Sequence, residues 1–260
     1  MILAMTLADV AIGIAIGLAS GILAGSFGVG GGILMTPGIH VLLGAPAIVA
    51  LATPLPVIFP TALAGALAYR RRSELDTGAA AWLVGPGLVG AALGAWLTEY
   101  VDTTLLLLVT ALLLGWQSLA ILRETRRHGG REPREATAPI LGGIGVVAGF
   151  LSGLLGIGGG LVMVPLLAGW LGMPLKRALG TSLLAIVALV VPGAVVHAAL
   201  GHIDPGIGLA LAVGAVPGAR VGAALALGAK ERTLRLVVGG GLLAIAVGYA
   251  ADQAATMLGR

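Results

Sequence analysis

The chain has 260 residues, of which 58% are apolar and only 10% are charged, and its mean hydropathy is +1.07. A soluble domain carries about 25% charged residues, so this composition excludes a water-soluble fold. The formal charge of +4 does not indicate nucleic-acid binding, because the arginines lie in short loops and aromatic residues make up only 4%. The absence of cysteine excludes disulfides, thiol catalysis and cysteine metal sites.

Apolar segments recur along the whole chain. A helix of about 20 residues spans the hydrocarbon core of a bilayer. Segments of about this length are Leu7–Gly25, Pro54–Tyr69, Ala79–Thr98, Thr104–Leu122, Ile140–Leu155, Leu179–Leu200, Ile207–Leu227 and Leu234–Ala250. The sequence therefore predicts an all-α polytopic membrane protein that lies in the lipid bilayer.

A glycine-rich sequence occurs twice. "GSFGVGGGILMTP" runs from Gly25 to Pro37, and "GLLGIGGGLVMVP" runs from Gly153 to Pro165, 128 residues later. At the same offset "ALATPL" matches "ALGTSL", and Asp76 matches Asp204. The offset predicts two homologous halves, residues 1–123 and 137–260, joined by a charged linker at 124–136 that lies outside the bilayer.

Each glycine motif interrupts a long apolar segment. A single helix from Leu7 to Gly44 would be about 57 Å long, too long for one crossing. Three consecutive glycines favour a break, since glycine weakens a helix interior by about 1 kcal/mol. We therefore expect each motif to be the turn of a helical hairpin, followed by three transmembrane helices. The whole chain would then have about 8–10 membrane helices.

The basic residues predict the orientation, because cytoplasmic loops collect Lys and Arg. Besides the linker, the basic segments are Arg70–Arg72, Lys176–Arg177 and Lys230–Arg235. The linker would be in the cytoplasm and both termini outside. The loop at Asp76 is then cytoplasmic and its counterpart at Asp204 is external, so the two halves would be inserted in opposite directions. Such inverted repeats are typical of secondary transporters with a substrate site near the midplane.

The glycine turns suit an anion. Glycine amides can approach a ligand closely, and the start of the following helix adds partial positive charge. The alternative is that these glycines only permit close helix packing, as small residues do in membranes.

Together these features resemble the TauE/SafE sulfite exporter family. The resemblance covers nearly the whole chain and rests on "GxGGGxxxxP" in each half, followed by "ATPL" or "GTSL". It implies a transporter of sulfite or small sulfur-containing organic anions, usually outward. The residues that match the family motifs are Gly28, Gly30, Gly31, Gly32, Thr53, Pro54, Gly156, Gly158, Gly159, Gly160, Thr181 and Ser182. Because Pro54 stands where the second half has Ser182, the two half-sites would be chemically unequal.

Other polar residues in the apolar segments are further candidates. Arg220 is expected to be buried in an apolar helix, where its guanidinium would suit an oxoanion, or else to bond backbone carbonyls. Gln117 and His197 are weaker candidates for the substrate site. The hydroxyls of Thr53, Thr181 and Ser182 would donate to the anion or back-bond within a helix. Asp76 and Asp204 are expected to be helix N-caps.

We expect a secondary transporter rather than an enzyme. The acidic residues lie in loops or at termini, no nucleophile–base pair stands out, and no cofactor or metal is indicated. A membrane scaffold or assembly subunit and an anion channel of the same fold are the alternatives. The sequence leaves open the coupling ion, the particular anion and whether the chain forms a homo-oligomer.

Overall fold

The computed structural model describes residues 6–101 and 136–258, and between them 105–106, 109, 112–113 and 115–119. Every regular element in these residues is helical. The helices are α1 (Leu7–Phe27), α2 (Gly32–Pro37), α3 (Ala47–Ala52), α4 (Pro54–Arg70), α5 (Thr77–Leu97), α6 (Ala138–Leu155), α7 (Gly160–Val164), α8 (Leu175–Ala199), α9 (Pro205–Gly228) and α10 (Glu231–Leu258). Helices α2 and α7 continue as π-helical turns over Gly38–Leu42 and Pro165–Trp170.

The structure confirms an all-α polytopic membrane protein. Six elements of the described residues are long and apolar enough to cross a bilayer: α1, α3 together with α4, α5, α6, α8 and α9. The segments Gly32–Leu42 and Gly160–Trp170 are apolar but shorter. Most of the linker, predicted at 124–136, lies outside the described residues. The total of 8–10 membrane helices therefore remains a prediction.

Close helix pairs join the two predicted halves of the chain. Helix α1 of the first half packs along α9 of the second, and α6 of the second packs along α5 of the first. The pairs are equivalent at the offset of 128 residues. Glycines bring the backbones together, since a Cβ on any of them would meet backbone atoms of the partner helix: Gly17, Gly21 and Gly25 on α1, and Gly145, Gly149 and Gly153 on α6. Contacts of this kind are how small residues stabilise helix pairs in membranes.

Helices α4 and α8 form the centre of the molecule and run antiparallel. Gly65, late in α4, lies against Leu183, early in α8, whereas Gly193, late in α8, lies against Leu55, early in α4. Both helices are largely buried. Ile58 of α4 and Ile186 of α8, which are equivalent at the offset of 128, are both fully buried near the middle of this pair.

Candidate functional site

Each glycine motif forms a tight turn that ends one helix and starts another. Gly28 and Gly156 end α1 and α6 in the left-handed conformation, with φ of 69° and 66°. The following glycines also have positive φ: Gly30 (86°), Gly31 (91°), Gly158 (90°) and Gly159 (73°). Residues with a Cβ rarely adopt this conformation, so the turns require glycine. The predicted breaks are therefore present at the predicted positions.

The two turns lie directly against each other. A Cβ on Gly32 would be 2.7 Å from the carbonyl oxygen of Gly156. A Cβ on Gly30 would be 3.3 Å from the oxygen of Ile157 and within 3.4 Å of Ile58 and Ile186. All five residues of each turn are buried. The structure thus brings the glycines of both predicted halves together beside the middle of α4 and α8, where the two turns pack against each other.

The amides of these turns have few partners. The N–H groups of Gly28 and Gly156 donate to Ala24 and Ser152, at 2.9 and 3.0 Å. Within the described residues, the N–H groups of the glycines at 30–32 and 158–160 donate no hydrogen bond. Buried backbone donors without a partner are rare in native proteins. In other proteins, successive free amides in some turns form concave anion-binding surfaces.

Ser182 bonds to the first glycine turn, and its equivalent in the first half of the chain is Pro54. The Ser182 hydroxyl donates to the carbonyl of Gly28 at 2.9 Å and is fully buried. Pro54, at the equivalent position of the first half, is buried at the start of α4 and has no hydroxyl to offer. The chemical inequality of the two half-sites as substrate sites stays a prediction.

Thr53 and Thr181 connect the halves. The Thr53 hydroxyl oxygen accepts a hydrogen bond from the backbone N–H of Asp204 at 3.1 Å, and that of Thr181 accepts one from Asp76 at 3.0 Å. Among the described residues, neither hydroxyl has a back-bond to a carbonyl of its own helix. The two aspartates are N-caps, as expected: Asp76 accepts from Ala79, and Asp204 from the first turn of α9. In the described structure the two threonines therefore bind the N-cap residues at the starts of α5 and α9.

Arg220 does not lie at the glycine turns. The expectation that it is buried is wrong: it is exposed and lines a cavity of about 660 Å³. The reason is that Ala219 and Ala223 of α9, rather than Arg220, pack against Gly25 of α1. Arg220 therefore points away from the α1 interface, into a space that also contains Arg71, Arg72, Glu74 and Lys176.

The remaining candidates, Gln117 and His197, are fully buried. The side-chain oxygen and nitrogen of Gln117 have no hydrogen-bond partner among the described residues. His197 is in the last turn of α8, where its Nδ1 lies 3.1 Å from Nδ1 of His202 and its Nε2 is unpartnered within the described part. This end of α8 is opposite the end that carries Lys176.

Arg71, Arg72 and Lys176 entered the sequence prediction only as markers of orientation. The sequence did indicate that they belong together, because both basic segments were predicted to lie on the same side of the membrane. The charge pattern could not reveal that the two segments line one cavity with Arg220.

Comparison with known proteins gives a consistent result. Residues 13–249 match the model of a family described as sulfite exporter TauE/SafE. The chain is 29% identical over 236 residues to the probable membrane transporter protein YunE of Bacillus subtilis, covering 81% of this chain and 86% of that protein. It is 28% identical over 249 residues to a probable membrane transporter protein of Xylella fastidiosa, covering 94% and 95%. No solved structure matches the chain.

Proposed function

Because the chain belongs to the TauE/SafE sulfite exporter family, we propose that it is a secondary transporter that exports sulfite or small sulfur-containing organic anions across the cytoplasmic membrane. Membership of the family makes the chain a multi-pass membrane transporter with a small anion as substrate. The choice of sulfur oxoanions, the outward direction and the site described below are our proposal.

The substrate site in this proposal is the pair of glycine turns. The observation that carries it is the set of buried backbone amides at Gly30–Gly32 and Gly158–Gly160, which have no hydrogen-bond acceptor among the described residues. An oxoanion between the turns would accept hydrogen bonds from both, and hydrogen bonds to a charged group contribute about 1.5–3 kcal/mol each. Ser182 would fix the first turn through its bond to Gly28. The anion is held by backbone groups, which explains how a site with so few charged side chains binds it.

Transport requires the turns to separate, because they are in contact in this structure. We propose that the halves 1–123 and 137–260 are inverted repeats that rock against each other around the turns. The antiparallel packing of α4 and α8 supports this, since equivalent helices of inverted repeats cross the membrane in opposite directions. Equivalent threonine–aspartate bonds at the starts of α5 and α9 support a two-fold relation between the halves.

The orientation follows from where the basic residues lie. Arg71, Arg72 and Lys176 line one cavity at one end of the molecule, and Arg177 pairs with Asp76 at 2.9 Å. Cytoplasmic loops are rich in such residues. We therefore propose that this end, with the linker 124–136, faces the cytoplasm and that both termini are outside.

A flux measurement tests the proposal. The purified protein is reconstituted into liposomes loaded in turn with sulfite, sulfoacetate, thiosulfate, sulfate or a carboxylate, and efflux is measured against empty liposomes. We expect saturable flux of sulfite or a sulfonate and little of the carboxylate. Flux of these anions that does not saturate would indicate a channel of the same fold. The absence of flux of any of these anions would contradict the proposal and favour a scaffold.

A further inference from the structure

The basic cavity is separate from the glycine turns. It lies between the end of α4, the start of α8 and the end of α9, and Arg71, Arg72, Lys176 and Arg220 line it together with Glu74. Four cations and one carboxylate give it a formal excess of three positive charges. A cleft lined by one sign of charge raises the local concentration of the opposite ion.

The three arginines of the cavity are available to a ligand. Within the described residues, none of these guanidinium groups is paired with a carboxylate, whereas the neighbouring Arg177 is paired with Asp76. Lys176 donates to the carbonyl of Leu227 at the end of α9 at 2.7 Å, and this bond fixes the position of its ammonium group. Free guanidinium groups provide planar pairs of donors that match the oxygens of an oxoanion.

The size of the cavity indicates a hydrated ligand. Its volume of about 660 Å³ falls within the range of small-molecule sites. A water molecule occupies about 30 Å³ of liquid, so this space is much larger than one small oxoanion requires. A small oxoanion would therefore enter with much of its hydration and be attracted mainly by charge. Such a site captures an anion rather than binding it tightly.

One face of α8 leads from the cavity to the centre of the molecule. Lys176 lines the cavity, and Leu179, one turn further, lies 3.0 Å from the position of a Cβ on Gly28. Ser182 bonds to Gly28, and Cγ2 of Ile186 lies 3.4 and 3.2 Å from the positions that a Cβ would take on Gly30 and Gly158. The cavity is thus one helical turn from the first glycine turn, and Leu179 stands between them.

We infer that the basic cavity is a capture site for small hydrated oxoanions, from which the anion passes along α8 to the glycine turns. This inference rests on the proposed function. The phosphate of an anionic lipid shares the same chemistry and is the other source of an oxoanion at this end of the molecule. The small dissolved anion is favoured because the cavity is wide enough for a hydrated ion and leads toward the buried turns.

The absence of cysteine makes a charge-restoration experiment direct. Arg220→Cys is prepared in detergent and alkylated with bromoethylamine, iodoacetamide or iodoacetate, which give a positive, neutral or negative side chain through a stable thioether. Each form is reconstituted into phosphatidylcholine liposomes, and the KM and kcat for sulfite are measured. Arg177→Cys, treated identically, is the matched control, since Arg177 lies beside the cavity but does not line it.

We expect the neutral form of Arg220→Cys to have a KM about tenfold higher, corresponding to about 1.4 kcal/mol, with kcat little changed. The aminoethyl form should recover most of this loss, and the carboxymethyl form should raise KM further. Glu74→Gln should lower KM several-fold, a change that misfolding does not produce. The wild-type KM should rise with ionic strength, since exposed charges are screened by salt.

Equal KM for the three alkylated forms of Arg220→Cys would overturn the inference. It would also be overturned if these effects appeared only in liposomes containing phosphatidylglycerol, which would assign the cavity to lipid. Absence of flux in the wild type would instead contradict the proposed function itself.

Discussion

Gly30→Ala tests whether the glycine turns bind the anion. The new Cβ would lie 3.2 Å from Cγ2 of Ile58, 3.3 Å from the oxygen of Ile157 and 3.4 Å from Cγ2 of Ile186. The methyl group would occupy the contact between the two turns, beside the free amides. Alanine is also strained at a φ of 86°, by about 1–2 kcal/mol.

Gly201→Ala is the control, because it introduces the same kind of backbone strain at a position outside the glycine turns. Gly201 has a φ of 71°, and a Cβ there would have no atom within 4 Å. We expect this control to lose about 1–2 kcal/mol of stability from strain alone. Gly30→Ala should lose about 1 kcal/mol more, because its close neighbours must shift by a few tenths of an ångström. A protein with about 5 kcal/mol of stability that loses about 3 is still more than about 95% folded. Loss of folded protein therefore cannot abolish flux in either variant.

The assay combines sulfite flux in liposomes with thermal melting in detergent. Sulfite at 100 times its Kd should stabilise the wild type by about 2.7 kcal/mol, or about 5–11 °C at roughly 2–4 °C per kcal/mol. Gly201→Ala should keep both the flux and this shift. Gly30→Ala should lose most of the flux and most of the shift. Wild-type flux and a full shift in Gly30→Ala would refute the reasoning and leave the turns with a role in packing alone, as would an equal loss in both variants.

Two further predictions concern packing and orientation. Gly149→Ala should lower the melting temperature by about 3–10 °C, because its new Cβ would lie 2.8 Å from the carbonyl carbon of Gly87. The control is Gly143→Ala on the same helix, where a Cβ would have open space around it. This control should leave the melting temperature unchanged or raise it slightly. An equal effect of the two changes would contradict the packing argument. A membrane-impermeant thiol reagent added to intact cells should label Leu200→Cys but not Ser73→Cys, and the reverse pattern would invert the proposed orientation.

The glycine turns could be predicted because the constraint is local. A run of glycines interrupts an apolar segment, and the conformation found at Gly28 and Gly156 is one that only glycine adopts easily. Repetition at a fixed offset then indicated that the two turns are equivalent. The N-caps at Asp76 and Asp204 were predictable for the same reason, since a cap depends on a few adjacent residues.

The environment of Arg220 could not be predicted, because it depends on which side of α9 meets its partner. Hydropathy places the arginine in an apolar helix but does not say which face is covered. In the structure α1 covers the face at Ala219 and Ala223, and this leaves Arg220 in the basic cavity. The partners of Thr53 and Thr181 were hidden similarly, since each bonds to the other half of the chain, 151 and 105 residues away.

The pairing of helices from different halves also determines how the protein can be assembled during synthesis. Helix α6 follows α5 by about 40 residues, so at about 5–20 residues per second their pairing is delayed by only a few seconds. Helix α1 must wait for α9, which begins roughly 180 residues after α1 ends, so the delay is about 10–35 s. Throughout that time the glycine face of α1 has lipid or the insertion machinery as its neighbour. The arrival of α9 is therefore the step that covers the glycine face of α1, and a nascent chain truncated before Pro205 would leave its first helix without this partner.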